Sequence, residues 1–519
     1  MLGSLLTAFL GFASLAFLHL LLRRRRREGE PPLIKGWIPF LGKALEFRKD
    51  SYQFLQRLQE KHGDVFTVLI AGKYMTFVMN PLLYPAVIKQ GKQLDFHEFS
   101  DAAASTTFGY PAVRSGRFPG MSERIQKLFL LLQGPALNSL THRMMGNLQR
   151  VVRQHFLSWG GGPECDWRRD GLYEFCERVM FEATFLTLYG HPSRANTETK
   201  KTSEEICWID TLRENFKKFD AKFPLLIAHV PIGLLGKTKS IREELIRFFH
   251  PCRMAEWSSP SEFVQMRTEL FHQYDTLKDL DRAAHHFAML WASVGNTIPA
   301  CFWCVYHLLS DPQALVAVKK EIVDVVGEQE TSICNDDVTL TREQLDRMIY
   351  LESAINESLR LSSASMNIRV VQEDFCLQLE PQCSVCVRKG DIVVLHPQST
   401  HLDPDIYSNP QQYQFDRFVK DGKEKTEFYK GDQKIRYYRM PFGSGATMCP
   451  GRFFAINEMK QFVCIILLMC DLELAGDQQE ATLDTSRAGL GILPPANHIA
   501  FRYRLKQHST EQEAEALLN

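Results

Sequence analysis

The longest apolar run lies at the amino terminus, where residues 1–22 are dominated by Leu, Phe and Ala and contain no Asp, Glu, Lys or Arg. With a rise of about 1.5 Å per residue, a helix of this length spans roughly 33 Å, which is enough to cross a bilayer. The arginine block of residues 23–27 follows at once and resists translocation. The pattern therefore predicts a transmembrane signal anchor at residues 1–22, with the body of the chain on the cytosolic side.

A cleaved signal peptide is the alternative interpretation of this segment. In such peptides the positive charge precedes a shorter apolar run, whereas here the arginines follow a long one. Beyond the arginines, Pro31, Pro32 and Gly36 prevent a continuous helix. We therefore predict a basic, proline-rich hinge at residues 23–42 and one large folded domain at residues 43–519.

Helical and strand-like patterns divide this domain into two kinds of region. Apolar positions recur at helical spacing through most of residues 120–365, including residues 281–309 and 342–361. Residues 65–79 and 375–394 instead contain the short β-branched and aromatic runs that are typical of strands. The pattern predicts a mainly α structure with a smaller β-rich lobe, an α+β fold.

Turn-forming residues interrupt both strand-like regions. Gly72 and Lys73 predict a hairpin in the first, and residues 389–391 (KGD) predict a turn in the second. Residues 461–469 are apolar but too short to cross a membrane, so they predict a buried helix. No second membrane span is expected.

Composition and charge limit the classes of function. The chain has 519 residues, of which 45% are hydrophobic and 24% charged, as in a globular protein with a large core. Lys plus Arg and Asp plus Glu both number 61, so the formal net charge is zero. Because this balance gives no global attraction for a polyanion, we expect no nucleic-acid partner.

The cysteines indicate a reducing, cytosol-facing environment. Their number, 13, is odd, and they lack the dense spacing of a secreted disulfide scaffold. Two C-x-x-C pairs, Cys301/Cys304 and Cys383/Cys386, have no further His or Cys cluster to complete a zinc site. We assign neither pair a metal or redox role.

One glycine-rich segment carries the chemistry of a metal ligand. Residues 442–454 read FGSGATMCPGRFF, with Cys449 followed by Pro450, Gly451 and a predicted helix. A cysteine at a helix N-terminus has its thiolate stabilised by the helix dipole and by unpaired N–H groups. Gly443 and Gly451 let the backbone approach a bulky planar group closely. The segment predicts an anionic sulfur ligand beside a planar cofactor.

This segment resembles the cytochrome P450 signature F-x-x-G-x-x-x-C-x-G, which is matched by Phe442, Gly445, Cys449 and Gly451. The resemblance implies a P450 fold with a single N-terminal transmembrane anchor, in which residues 43–519 form a haem-thiolate monooxygenase domain. It implies haem b (iron protoporphyrin IX) as the cofactor and Cys449 as the ligand of the iron. The residues that we predict to hold the cofactor are Cys449, Phe442, Gly443, Gly451 and Arg369.

Two further segments match the family in the expected order. Glu357 and Arg360 are three residues apart and so share one helix face, where a carboxylate and a guanidinium can pair. Downstream, residues 415–418 (FDRF) resemble the meander arginine segment of the family. The resemblance implies a buried structural cluster of Glu357, Arg360 and Arg417 that holds the loops beneath the haem.

Residues 291–299 (WASVGNTIP) resemble the distal helix of the family, where a glycine, an acidic residue and a threonine open a groove over the iron. Gly295 and Thr297 are kept, whereas Asn296 takes the acidic position. We predict that Asn296 orients water or a substrate hydroxyl through its amide, with a polar helix-bend residue as the alternative. The predicted catalytic residues are Thr297 and Asn296.

Two departures from the family concern the haem propionates. Thr447 stands where a basic residue is often found two positions before the cysteine, and Arg369 aligns with the propionate arginine of the family. No W-x-x-x-R helix is recognisable in residues 121–150. A second propionate partner therefore stays unassigned.

Four longer segments, residues 29–42, 290–300, 357–369 and 487–495, resemble the sterol 7α-hydroxylases. The first is similar to the oxysterol branch and the last two to the cholesterol branch, so the resemblance leaves the exact sterol open. An apolar wall with few hydroxyl groups suits a rigid hydrocarbon. The predicted substrate contacts are Val294, Gly295, Asn296, Met366 and Leu490.

The resemblance implies 7α-hydroxylation of cholesterol or an oxysterol, a reaction of sterol and bile acid metabolism. The expected co-substrate is O2, and the expected electron donor is NADPH-cytochrome P450 reductase, because no flavin- or nucleotide-binding module is recognisable in the sequence. A single-pass protein of the endoplasmic reticulum membrane is implied, which contacts membrane lipid and whose catalytic domain faces the cytosol.

Three alternatives stay open at this point. A prostacyclin-synthase-like haem-thiolate isomerase would rearrange a peroxide without a reductase; Asn296 favours it slightly, whereas Thr297 suits dioxygen activation. A sterol 12α-hydroxylase is the nearest rival within the same class of enzyme. A non-catalytic haem carrier is disfavoured by the membrane anchor and by the complete set of motifs.

Overall fold

The structure of the 519-residue chain is a computed structural model. It describes residues 24–38, 40–114, 116–157, 167–192, 198–327, 338–476 and 480–506. The predicted anchor at residues 1–22 lies outside the described residues.

Helices occur along the whole of the described chain. The α-helices are α1 (Ala44–Lys49), α2 (Ser51–His62), α3 (Tyr84–Ile88), α4 (His97–Phe108), α5 (Met121–Leu128), α6 (Ala136–Leu157), α7 (Leu172–Tyr189), α8 (Glu198–Asp220), α9 (Phe223–Ile227), α10 (Thr238–Phe248), α11 (Pro251–Met254), α12 (Glu262–His272), α13 (Asp279–Val294), α14 (Thr297–Ser310), α15 (Pro312–Val326), α16 (Arg342–Asp346), α17 (Ile349–Ser362), α18 (Pro397–His401) and α19 (Arg452–Met469). Short 3-10 helices occupy Pro81–Leu83, Phe129–Leu132, Ile232–Leu234, Gly445–Thr447 and Thr485–Arg487.

The strands are shorter than the helices and fall into several small sheets. They are β1 (Leu33–Ile34), β2 (Val65–Ile70), β3 (Lys73–Val78), β4 (Leu94–Asp95), β5 (Arg168–Gly171), β6 (His191–Pro192), β7 (Trp257–Ser258), β8 (Asn367–Val371), β9 (Phe375–Glu380), β10 (Cys383–Val387), β11 (Ile392–Leu395), β12 (Val419–Lys420), β13 (Lys423–Glu424), β14 (Tyr429–Lys430), β15 (Gln433–Lys434), β16 (Cys470–Leu474) and β17 (Ala500–Leu505).

The chain divides into two compact units. The β-rich unit comprises the described residues within Met1–Phe99, Ser365–Ser408 and Phe428–Ala446, and the helical unit comprises the described residues within Ser100–Ala364, Asn409–Glu427 and Thr447–Asn519. The first contains the largest sheet, and the second contains the long helices and the β16-β17-β5 sheet. The predicted mixture of a larger helical part and a smaller β-rich part is confirmed.

A six-stranded sheet forms the frame of the β-rich unit, in the order β1-β2-β3-β11-β8-β4. Strands β2 and β3 pair antiparallel, as predicted for residues 65–79. Ala71 and Gly72 take positive φ angles at the turn, a conformation that glycine adopts freely because it has no Cβ. Buried Phe66, Phe77 and other apolar side chains of the sheet pack against α2.

In the second strand-like region, the turn predicted at residues 389–391 does not join two neighbouring strands into a hairpin. Strands β9 and β10 pair with each other and are joined at residues 381–382. Residues 388–391 lead instead into β11, which runs parallel to β3 and antiparallel to β8. The predicted turn is confirmed, whereas the partners of β11 could not be predicted, because pairing with a strand distant in the chain is a tertiary effect.

The structure contains one disulfide among the described residues, and it was not predicted from the sequence. Cys376 and Cys386 face each other across β9 and β10 and are joined by a disulfide. Cys383 is an exposed free thiol, so Cys383 and Cys386 do not act as a pair, while Cys301 is buried and free. The register of two strands decided this pairing, and the spacing of cysteines in the sequence does not reveal it.

Helix α14 forms the centre of the helical unit and packs against α7, α17 and α19. Every residue from Thr297 to Val305 is buried. Among the described residues, one stretch, Asp279–Ser310, is long and apolar enough to span a membrane, and 72% of its most apolar window is buried in the protein. A helix that is apolar on all sides and buried in this way is a core helix.

Candidate active site

Cys449 lies just before the first turn of α19, which begins at Arg452. It is a half-buried free thiol. Burial raises the pKa of the Cys449 thiol above its usual range, while the backbone N–H groups of Gly451 and Arg452 and the Arg452 charge act to lower it. These N–H groups lie at the N-terminus of α19, where backbone donors lack carbonyl partners within the helix. The geometry suits a sulfur that becomes anionic when it binds a metal.

The glycine-rich segment before Cys449 belongs to the β-rich unit up to residue 446. Gly443 and Gly445 take φ angles of 78° and 64°. A Cβ at Gly445 would lie 2.6 Å from Cγ2 of Ile88. Only glycine fits this path of the backbone without displacing that side chain.

Arg369 on β8 fixes this segment from the other side. Its Nη2 donates to the carbonyl oxygen of Ser444 over 3.3 Å, and its guanidinium carbon lies 5.8 Å from the ring centre of Phe96. The hydroxyl of Ser444 donates to Oδ1 of Asn367 over 3.1 Å. Burial lowers the pKa of Arg369, and the Asp95 charge raises it. The β-rich unit thus brings the predicted residue Arg369 next to the 442–445 segment.

The predicted cluster of Glu357, Arg360 and Arg417 is assembled in the helical unit. Arg360 Nε and Nη2 donate to the two Glu357 oxygens over 2.7 and 2.8 Å, and Arg417 Nε donates to Glu357 Oε1 over 2.8 Å. Arg360 Nη1 also donates to the Pro410 carbonyl over 2.6 Å, and Arg417 Nη2 to the Gln412 carbonyl over 3.1 Å. The cluster therefore ties α17 to the loop of residues 409–417, which is a structural role.

The helix predicted over residues 281–309 is interrupted at Gly295 and Asn296, between α13 and α14. Pro299 explains the interruption, because proline has no N–H to donate to the carbonyl four residues earlier, which is that of Gly295. Directly after the break, the Thr297 hydroxyl donates to the Ser293 carbonyl over 2.9 Å. The break therefore opens the helix where the sequence predicted a groove.

Asn296 holds a loop in place. Its Oδ1 accepts the N–H of Ile492 over 2.9 Å. A Cβ at Gly491, where φ is 128°, would lie only 2.2 Å from the same oxygen. The loop is further paired with the end of α17, since Ala364 N–H donates to Gly491 and Gly489 N–H donates to Ala364. The Asn296 carbonyl oxygen therefore positions the loop that carries Leu490.

The predicted substrate contacts divide between the two units. Val294, Gly295 and Asn296 lie together at the end of α13, and Leu490 lies in the loop that Asn296 holds. Met366 precedes β8 in the β-rich unit and packs against the apolar core of that unit. The helical unit thus brings four of the five predicted contacts into one neighbourhood.

Glu458 on α19 is a candidate functional residue that was not predicted from the sequence. Its side chain is fully buried, with Oε1 3.1 Å from Thr297 Oγ1 and Oε2 accepting the Thr184 hydroxyl over 3.0 Å. Burial raises its pKa to about 8, and the two hydroxyl contacts lower it only partly. An acidic residue inside the buried, apolar helix α19 was the signal that could have revealed it.

The hydrogen bonds around Glu458 are consistent with a neutral carboxylic acid. The Thr297 hydroxyl has one hydrogen, and the Ser293 carbonyl accepts it. A Glu458 protonated on Oε1 would donate to Thr297 Oγ1, while Oε2 accepts from Thr184. The arrangement would then place that proton against the Thr297 hydroxyl.

A comparison with known families now decides the class of protein. The family profile described as "Cytochrome P450" matches residues 31–501. The chain belongs to the cytochrome P450 family. It is a monooxygenase of that family, and its cofactor is haem b.

Individual relatives within the P450 family indicate a narrower class of enzyme. The chain is 42% identical to a Cricetulus griseus protein named "Cholesterol 7-alpha-monooxygenase", over 93% of this chain and 95% of that one. It is 36% identical to an Oryctolagus cuniculus protein named "7-alpha-hydroxycholest-4-en-3-one 12-alpha-hydroxylase", over 98% of each. The solved structure of "Retinoic acid bound cyanobacterial CYP120A1" matches with a TM-score of 0.68 at 20% identity, over 93% of this chain and 100% of that one. The last match establishes the P450 fold.

The residues of this P450 fit the haem b cofactor. Cys449 offers a free thiol that receives backbone N–H groups, which is the donor set a thiolate ligand needs. Arg369 offers a buried cation beside the 442–445 segment, and a guanidinium is a group that pairs well with a propionate carboxylate. Both side chains that suit the cofactor, Cys449 and Arg369, are held in place by the fold without it.

Proposed function

We propose that this cytochrome P450 hydroxylates a sterol at the 7α position, with cholesterol or an oxysterol as the substrate. The full-length identity of 42% to a cholesterol 7α-monooxygenase carries this proposal, since the identity to a sterol 12α-hydroxylase of similar coverage is 36%. The four sterol-hydroxylase-like segments support the same class of substrate.

The chemistry divides between the cofactor and the chain. Haem bound through Cys449 supplies oxygen activation, because an anionic sulfur ligand favours cleavage of the O–O bond. Oε1 of Glu458 lies 3.1 Å from Thr297 Oγ1 at the helix break, and the raised pKa of Glu458 favours a proton on this carboxyl. We propose that Thr297 passes this proton to the oxygen-binding groove, and that Asn296 fixes the Leu490 loop as part of the sterol-binding wall.

The proposed cellular setting is the endoplasmic reticulum membrane. The apolar residues 1–22 and the arginines that follow support a single-pass anchor with the catalytic domain in the cytosol. Trp37 and Phe40, which are 88% and 65% exposed, support contact with membrane lipid just beyond the arginines. In this setting NADPH-cytochrome P450 reductase is the proposed electron donor.

Turnover of defined sterols by the purified, haem-loaded protein tests this proposal. Cholesterol and side-chain oxysterols are incubated with and without NADPH and reductase, and the reduced carbon-monoxide difference spectrum is recorded in parallel. Reductase-dependent 7α-hydroxysterol together with a thiolate-type Soret band is the expected result. A Cys449→Ser variant is expected to lose that band.

Three other outcomes would contradict the proposed position of hydroxylation, the reaction or the iron ligand. Formation of a 12α-hydroxysterol would move the assignment to the other sterol hydroxylase. Reductase-free rearrangement of a peroxide, with no sterol product, would assign an isomerase. A well-folded, haem-loaded protein without the thiolate-type band would remove Cys449 as the ligand.

A further inference from the structure

Arg267 on α12 is a buried cation with an incomplete set of partners. Its side chain is 6% exposed. Within the part of the chain that the structure describes, its Nε and Nη1 atoms have no hydrogen-bond partner. Its guanidinium carbon lies 4.8 Å from the ring centre of Phe271. A guanidinium removed from water is stable only with a counter-charge or a full set of acceptors.

Two buried histidines of α13 complete the surroundings of Phe271. His285 stacks between Tyr110 and Phe271, with ring centres 3.8 and 4.8 Å away. His286 meets Phe271 edge-on at 5.6 Å. Both histidines are 2% exposed, and His285 Nε2 and His286 Nδ1 have no hydrogen-bond partner among the described residues. Arg267, His285 and His286 form what we call the Phe271 cluster.

The Phe271 cluster carries a positive charge without an evident counter-ion. Burial lowers the pKa of both histidines, to about 3 for His286, and the nearby Arg267 charge lowers them further, so both rings are neutral. Burial also lowers the pKa of Arg267, and the groups that raise it are Tyr189 and Tyr110. Neither tyrosine is ionised, because burial raises the pKa of both. Among the described residues, no carboxylate thus contributes to balancing the guanidinium.

The two histidines differ in what they can donate. The Thr268 hydroxyl donates to the Val264 carbonyl over 2.8 Å, so its oxygen accepts from His286 Nε2, 3.3 Å away. A neutral His286 is then left with an acceptor at Nδ1. His285 Nε2 has no such constraint and can carry the hydrogen of a neutral imidazole. The donors available to a ligand are therefore the Nε and Nη1 nitrogens of Arg267, with three N–H groups between them, and Nε2–H of His285.

We propose that the Phe271 cluster binds a small inorganic anion of the halide class, held by Arg267 and by Nε2–H of His285. A spherical anion demands no fixed donor geometry, and its charge balances the buried guanidinium. The site lies ten residues before Gly295 on the same helical stretch, about 15 Å along its axis. It therefore fixes the first half of α13 and takes no part in the reaction at the helix break.

Anion-dependent stability of the full-length, haem-loaded protein tests the site. The apparent Tm is followed by tryptophan fluorescence in sodium bromide, chloride or gluconate at equal ionic strength. An anion at 100 times its Kd is expected to raise the Tm of the wild type by about 3 °C above the value in gluconate. Crystals grown in bromide are expected to show an anomalous peak beside Arg267.

Three variants separate this site from general salt effects. Arg267→Met removes the buried charge, so it is expected to fold and to lose the bromide increment, with a Tm in gluconate at or above that of the wild type. Arg253→Met is the matched control, because Arg253 also covers a phenylalanine ring, at 4.5 Å, but is exposed; it keeps the increment. His285→Phe keeps both ring contacts, and the bromide concentration for half-maximal stabilisation is expected to rise several-fold.

Either of two results would overturn the proposal. One is a bromide increment of the same size in the wild type and in Arg267→Met, which would show a general salt effect. The other is a bromide-grown crystal without an anomalous peak at the Phe271 cluster, which would show that water alone satisfies Arg267.

Discussion

Two glutamates of the helical unit, Glu357 and Glu458, are equally buried, with side chains that are 0% exposed. Glu357 meets the guanidinium groups of Arg360 and Arg417. Among the described residues, Glu458 meets the hydroxyls of Thr184 and Thr297 and no cation. The first carboxylate is held between two guanidinium groups in a fixed network, whereas burial raises the pKa of the second to about 8. Burial is thus the same in both cases, and the partners of the two carboxylates differ.

The largest expected effect follows from removing the charge of Glu357. In Glu357→Gln, the two buried guanidiniums lose their counter-charge, so the free energy of unfolding is expected to fall by about 3–5 kcal/mol. Urea denaturation followed by tryptophan fluorescence measures the change, and haem absorbance measures the loaded fraction. Glu343→Gln on α16, at an exposed position, is the matched control and should be neutral. If the free energy of unfolding of Glu357→Gln fell by less than about 1 kcal/mol, the network would not have the proposed structural role.

The second prediction removes the proton of Glu458 without removing its hydrogen bonds. In Glu458→Gln the amide can still contact Thr184 and Thr297, so the fold is kept, but product formation is expected to drop about 100-fold. NADPH oxidation continues and yields peroxide, because oxygen activation then lacks its proton. The measurement is the ratio of hydroxysterol formed to NADPH consumed.

Thr184→Val is the matched control for Glu458→Gln. It removes the hydroxyl on the other carboxyl oxygen, away from the helix break, and should keep most of the coupling between NADPH and product. Wild-type coupling in Glu458→Gln would show that Thr297 receives its proton from elsewhere.

The third prediction concerns stability against pH. The pKa of Glu458 is about 8 in the folded protein and 4.5 for an ordinary glutamate, so between these values the folded state holds a proton that the unfolded chain releases. Stability from this group is therefore full below about pH 4.5 and falls as the pH rises to about 8, by up to about 1.4 kcal/mol per pH unit. The difference in unfolding free energy between wild type and Glu458→Gln measures this slope. A difference that is flat with pH would mean that Glu458 is ionised in the fold.

The smallest expected effect concerns Asn296, which contacts neither glutamate. Asn296→Ala leaves the Ile492 N–H without its acceptor, which costs about 1 kcal/mol of stability and raises the KM for the sterol several-fold with kcat largely kept. Asn296→Asp keeps the acceptor and is expected to restore the KM. A loss of kcat at unchanged KM in Asn296→Ala would instead favour the predicted role in orienting water.

Several features could be predicted from the sequence because they depend on neighbouring residues. The position of Cys449 before α19 and the spacing of Glu357 and Arg360 on one helix face are local properties. The hairpin of β2 and β3 is also local, since its turn joins adjacent strands. By contrast, the partners of β11 and the disulfide between Cys376 and Cys386 depend on strand register.

The sequence by itself determined the family and the cofactor and predicts Cys449 as the iron ligand, because a short, dense motif carries them. Only the tertiary structure decided which acidic group lies against Thr297 and what Asn296 binds. Glu458 is 161 residues from Thr297 in the chain, and Ile492 is 196 residues from Asn296. A pKa and a hydrogen bond depend on burial and on the nearest atoms in space, so contacts of such long sequence separation exist only once the chain has folded.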